Sequence, residues 1–179
     1  MVRGQDYSFG WAEPETVFRV SPEVERPYAR ARLAIGDIVL TIVGAGIGNV
    51  ALVPDWLDGA NITQTTARIA IAPERGFSSY YSYVLQSGVG KVQVDLTKKG
   101  AAQPGLNLAH IAKYQVPVPP IEEQQEIIEH LDREMARIDA LIAKVGEAIE
   151  QLKEYRTALI SAAVTGKIDV RDFPMEGET

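Results

Sequence analysis

The sequence predicts an α+β fold: a β-rich domain over residues 1–117, then a long C-terminal coiled-coil helix within residues 118–168. Two observations predict it. Before Val116-Pro117-Val118-Pro119-Pro120 the chain carries short β-branched runs separated by Gly and Pro, and after it apolar residues recur every seven positions. Short runs bounded by turn residues read as strands. A seven-residue apolar repeat kept over more than four heptads reads as a coiled coil.

The first strand is expected over Asp37-Ile38-Val39-Leu40-Thr41-Ile42-Val43, followed by a glycine loop from Gly44 to Gly48. Asn49 to Val53 reads as the returning strand, stopped by Pro54 and Asp55, and Thr66 to Ala72 as a third, ended by Pro73. Tyr80 to Gln86 reads as a short helix with Tyr80, Tyr83 and Val84 on one side. The polar, glycine-containing stretch from Lys98 to Gln103 reads as a loop.

At Pro119-Pro120-Ile121-Glu122-Glu123 a helix is expected to start, because proline is tolerated in a first turn and acids there complement the helix dipole. One apolar row is Leu131, Ile138, Val145, Leu152 and Leu159; the other is Ile128, Met135, Ile142 and Ile149, interrupted at Arg156. Nine of these ten positions are apolar, and they form the expected dimer seam. From Ile128 to Leu159 the helix runs roughly 48 Å at 1.5 Å per residue. The alternative is an amphipathic helix folded back on its own domain, which usually shows a broader apolar face. Leu141, Ala148 and Tyr155 widen the stripe, but Asp132, Glu134, Lys144, Gln151 and Lys153 flank it. The helix is therefore expected to pack on another helix. Thr165-Gly166-Lys167 is its expected stop, and residues 169–179 are expected to form a flexible tail.

Composition narrows the function. With no cysteine among 179 residues, disulfides and thiolate metal sites are excluded. No secretory signal or membrane-length apolar run is visible, so the protein is expected to be soluble and cytoplasmic. The net charge of −6 argues against nucleic acid at first sight, but its distribution does not. Residues 1–120 hold 11 Lys/Arg against 10 Asp/Glu, whereas residues 121–163 hold 5 against 10. The acid sits on the helix, and local patches matter more than the total.

No motif calls for an enzyme. Gly44-Ala45-Gly46-Ile47-Gly48 has the wrong spacing for a dinucleotide fingerprint, and a strand follows it rather than a helix whose N-terminus could hold pyrophosphate. It reads as a hairpin. His110 and His130 have no ligand partners at metal spacing. No nucleophile elbow, Walker loop or zinc-protease motif is present, and neither a cofactor nor a metal is expected. Polar and basic residues cluster in three regions: Arg26, Tyr28, Arg30 and Arg32; Asn61 with Thr63 to Thr66 and Arg68; and Lys91, Lys98, Lys99, Gln103 and Asn107. These side-chain types read base edges and phosphates, and they are equally ordinary in solvated loops.

The run from Gly105-Leu106-Asn107-Leu108 to Pro119-Pro120-Ile121-Glu122-Glu123-Gln124 resembles the exit from a target recognition domain in the specificity subunits of type I restriction–modification systems. Ile138-Asp139-Ala140-Leu141-Ile142, Leu152-Lys153-Glu154-Tyr155-Arg156 and the ending Val164-Thr165-Gly166-Lys167-Ile168 are similar to that family's spacer helix and terminus, and Gly36 to Leu40 to its recognition-domain strand. The resemblance implies a non-catalytic DNA specificity subunit. Full-length members carry two recognition domains, each reading half of a split double-stranded target, and two antiparallel spacer helices.

The resemblance also implies methyltransferase subunits docked beside the spacer and a motor-nuclease subunit recruited through the complex. One domain and one helix make this chain a half-length version, with a recognition domain expected to be N-terminally shortened before Gly36. A homodimer with antiparallel helices is expected, reading a palindromic split site. Thr63, Gln64, Thr65, Lys98, Lys99 and Gln103 are the expected DNA contacts. The rival expectation is a protein-interaction adaptor, or decayed half-subunit, that uses the coiled coil and has no DNA affinity of its own.

Overall fold

The computed structural model describes residues 1–8, 10–99 and 105–169. The expected strands form, the first two shorter at both ends and the third at its C-terminal end: β1 (Ile38–Thr41), β2 (Val50–Leu52) and β3 (Thr66–Ile69). They make one antiparallel sheet of order β2-β1-β3, in register Val39 to Ala51 and Val39 to Arg68. The central strand is buried along its whole length. A strand covered on both faces carries a continuous apolar run rather than an alternating one, which is why β1 is the strongest β-branched stretch of the chain.

Alternation along β1 sends its residues into different cores. Val39 packs with Val2, Tyr7, Leu33, Val53 and Leu57. Ile38 packs with Tyr80, Tyr81, Val84, Leu85 and Ile128, and Leu40 with Ala67, Val94 and Leu106. The segment before the sheet supplies Val2, Tyr7 and Leu33 to the first core. Val2 is fully buried, donating its N–H to Asn61 C=O at 2.6 Å and accepting from Thr63 N–H at 3.1 Å. That segment holds a 3₁₀ turn at Gly4–Tyr7, helix α1 (Pro22–Glu25) and a second 3₁₀ stretch at Arg26–Ala31.

The second and third cores rest on helices. Helix α2 (Ser78–Gln86) forms where expected, but Tyr81 and Leu85 join Tyr80 and Val84 in its buried face, while Tyr83 is only half-buried. Helix α3 (Gly88–Thr97) follows at once, its N-cap Ser87 accepting from Val89 N–H at 3.2 Å. Helix α4 (Leu108–Ile111) is a single turn capped by Asn107.

Helix α5 (Ile121–Val164) starts at the expected prolines and runs 44 residues. Its first turns belong to the domain. Gln124, 1% exposed, accepts from Phe77 N–H at 3.1 Å and donates to Arg75 C=O at 3.1 Å and Pro119 C=O at 3.0 Å. One amide thus satisfies three backbone groups around the turn at Gly76. That turn needs glycine twice over, since its φ is +109° and a Cβ would collide with Gln124 Oε1. One turn later Ile128, 7% exposed, enters the core with Ile38 and the tyrosines.

Two compact units result, Met1–Glu129 and His130 onward. In the second, helix α5 continues with surface ion pairs such as Arg137–Glu134 and Lys153–Glu150, each worth only a few tenths of a kcal/mol. It ends where expected, with Lys167 N–H on Ala162 C=O at 2.9 Å. The expected tail beyond residue 169 lies outside the described residues.

Replacing Gln124 by Ala is expected to destabilise the protein by about 2 kcal/mol in urea unfolding, because buried backbone groups lose their partner. The neighbouring Gln125→Ala removes only an exposed bond to Glu129 and should stay within about 0.5 kcal/mol of the parent.

Candidate nucleic-acid interface

The turn Thr63-Gln64-Thr65 is clamped from two sides. Thr63 N–H is held by Val2 C=O, and Thr65 C=O accepts from Ile42 N–H at 2.8 Å, just past the end of β1. Thr63 and Thr65 hydroxyls lie 2.8 Å apart and share a hydrogen bond. The three residues line a cleft of about 460 Å³. Opposite them stand Arg3, Gln5 and Ser8 from the N-terminal turn, and Ala45-Gly46 from the glycine loop.

The glycine loop turns back as the sequence leads one to expect. Gly48 N–H returns to Thr41 C=O at 2.9 Å, and the loop delivers the chain into β2 as a hairpin. Gly48 itself has φ +89°, and a Cβ there would press on Val94 of α3 at 3.0 Å.

Lys98 and Lys99 lie beside the same end of β1. Ile42 C=O accepts from Leu106 N–H at 2.9 Å, and Gly105 exchanges two backbone hydrogen bonds with Lys99, at 3.0 and 2.8 Å. The end of β1 is therefore hydrogen-bonded both to the threonine turn and to the segment that carries Lys99. Lys98 caps α3 through its backbone and pairs with Asp95 at 2.6 Å. Lys99 lines a second hollow with Asn107 and His110. Gln103, the remaining expected contact, lies outside the described residues.

Two arginines of the expected polar regions are committed to the fold instead. Arg32 forks onto Glu25 with two bonds of 2.7 Å, and Asn61 Nδ2 donates to the same carboxylate at 2.8 Å. Arg68 pairs with the buried Asp37, which also accepts from Ala34 N–H at 2.7 Å. By contrast, Arg26, Tyr28 and Arg30 are exposed. What sequence reasoning missed is the N-terminal turn. Nothing local marks Arg3, Gln5 and Ser8, and only the pairing of Val2 with Ile62 brings them to the cleft.

Along α5 the seam residues divide. Ile128 is committed to the domain core and Leu131 is half-buried. Met135, Ile138, Ile142, Val145, Ile149, Leu152 and Leu159 are exposed, at 45–66%. Arg156 is exposed as well. Among the described residues no cluster of His, Cys, Asp or Glu could hold a metal, and no helix is long and apolar enough to cross a membrane.

The family model described as the type I restriction modification DNA specificity domain matches residues 23–151. The chain is 27% identical over 168 residues to the type I restriction enzyme EcoBI specificity subunit of Escherichia coli, covering 94% of this chain and 35% of that protein. It is 26% identical over 168 residues to the MjaVIII specificity subunit of Methanocaldococcus jannaschii, covering 92% of this chain and 39% of that protein. The chain thus spans little more than a third of the length of these relatives. The crystal structure of the HsdS subunit from Thermoanaerobacter tengcongensis superposes with a TM-score of 0.57 at 21% identity, over 83% of this chain and 36% of that one. A chain from a structure concerned with complex assembly and conformational transition of the type I R-M system gives a TM-score of 0.59 at 20% identity, over 80% and 36%.

The Glu25 carboxyl is held at about 2, against an ordinary 4.5, first by its hydrogen bonds from Arg32 and then by that from Asn61. A carboxyl depressed in the folded state stabilises it above the ordinary value and loses that contribution as pH falls toward the folded value. Glu25→Gln is therefore expected to flatten the dependence of melting temperature on pH between about 4.5 and 2. Thermal melts across that window check it.

Proposed function

The chain belongs to the type I restriction modification DNA specificity family, and from that premise we propose that it acts as a non-catalytic specificity subunit whose domain reads one half of a bipartite double-stranded DNA site. The domain proposed for recognition spans residues 1–117, and residues 118–168 are the proposed spacer region that contains α5. The observation that carries the reading is that one family match, residues 23–151, runs through both the sheet with the threonine turn of the cleft and the helix with most of its exposed apolar row. Methyl transfer and ATP-driven cleavage would then belong to partner methyltransferase and motor-nuclease subunits.

The exposed row suits a second copy of the chain. Two such helices related by a two-fold axis and running antiparallel place each heptad row against the other row of its partner. Around an axis between Ile142 and Val145, Ile142 faces the partner's Val145, Ile138 faces the partner's Ile149, and Met135 faces the partner's Leu152. Arg156 falls opposite the partner's Leu131, at the end of the seam, where its long side chain can reach water. A symmetric pair presents two identical reading clefts and so selects a palindromic split site, with the helices setting the gap.

Phosphate contact in this reading falls to Lys98 and Lys99, and base contact to Thr63, Gln64 and Thr65. Fluorescence titration of a random duplex at several salt concentrations tests it, with the chain alone and with its methyltransferase subunits. Binding should weaken steeply with salt, and Lys98→Ala with Lys99→Ala should lower the logarithmic slope by about two, near one per phosphate lost. An unchanged slope removes the lysines. No affinity in either setting favours the adaptor reading.

A further inference from the structure

The cleft and the lysines beside it are chemically different. Arg3 is the one charged residue lining the cleft, and its guanidinium is spent on Asp6, with Nη2 on Oδ1 at 3.0 Å and Nε on Oδ2 at 3.3 Å. The hydroxyls are occupied too. Ser8 Oγ donates to Gly4 C=O at 2.8 Å and accepts from Asn49 Nδ2 at 3.2 Å, and Thr41 Oγ1 donates to Tyr7 OH at 2.8 Å. Thr63 and Thr65 bond to each other. Two polar side chains of the lining are left without a hydrogen bond among the described residues: the primary amides of Gln5 and Gln64, both exposed.

Two free amides facing one cleft whose cation is held by the buried Asp6 make a poor phosphate clamp, since phosphate attraction comes from Lys and Arg that can exchange their partners, as Lys98 can exchange the exposed Asp95. They make a good reader of bases. A glutamine amide offers a donor and an acceptor side by side, the complement of N6–H₂ and N7 on the major-groove edge of adenine. The exposed methyl of Ala45 and the threonine methyls suit the C5-methyl of the thymine paired with it.

Resting on the DNA-reading function proposed above, we infer that Gln5 and Gln64 are specificity-determining residues that select adenine in the target half-site. Gln5 brings the N-terminal turn into recognition, and the bridge from Val2 to Ile62 holds it beside the Thr63–Thr65 turn. Division of labour follows: the amides choose the sequence, and the lysines at the end of α3 supply sequence-independent affinity.

Selection from a library of random duplexes tests this, using the full chain with its methyltransferase subunits, and the variants Gln5→Ala and Gln64→Ala in the same complex. The wild type should enrich a motif with A·T-defined positions. Each variant should lose the preference at one such position and bind the best duplex about tenfold more weakly. Affinity for an unrelated duplex, its salt slope and the melting temperature should all be unchanged. A variant that enriches the unaltered motif loses its assigned role, and relaxation at a G·C position overturns the choice of adenine. A wild type that enriches no motif overturns the DNA-reading premise itself, which separates the two failures.

Discussion

A single helix serves two masters in this molecule, and that constraint governs the rest. The first turns of α5 are domain core: Gln124 ties together three backbone groups, and Ile128 packs with Ile38 and the tyrosines of α2. From Met135 onward the same helix shows seam residues that are about half-exposed or more. Fully burying such a side chain is worth about 1.5–3 kcal/mol. Two chains that each cover seven half-exposed residues would gain on the order of 10–20 kcal/mol. Association costs about 4–15 kcal/mol, so the gain is of the size needed to offset it.

The domain holds the first turns of α5 through the Gln124 side-chain amide and the packing of Ile128, and its proposed ligand contacts lie on loops gathered at the far end of β1. Ile42 links the threonine turn to Leu106, next to the Gly105 that pairs with Lys99, by two backbone hydrogen bonds, and Thr41 beside it closes the glycine hairpin. Polar loop residues are thereby carried on a fully buried strand. That arrangement lets side chains vary at the surface without disturbing the core, as the proposed recognition role requires. The ion pairs Arg32–Glu25 and Arg68–Asp37 hold the framework rather than a ligand.

Much of this was legible in the sequence. The β-branched runs and their Gly and Pro boundaries marked all three strands, and Pro119-Pro120 marked the start of α5. The threonine turn stood out by composition. Helix α3 did not, because two glycines and three valines in ten residues hide helical propensity, and packing against α2 overrides it. Nor did the buried face of α2, where Tyr81 and Leu85 join the core through tertiary contacts that periodicity cannot foresee. Ile128 keeps perfect heptad register and yet packs on its own domain, since spacing reports which residues share a face and not what covers them. Gln5 is the sharpest case: its place in the cleft depends on Val2 pairing with Ile62, sixty residues away.

Sedimentation equilibrium at micromolar concentration, on the chain and on Ile142→Asp, bears most directly on whether the exposed row is an interface. If two helices meet there, the parent sediments at twice the chain mass. The variant, which puts two carboxylates beside the two-fold axis, then sediments at the mass of one chain with its domain still melting as before. A parent that stays at the mass of one chain, or a variant that pairs as well as the parent, would contradict the seam.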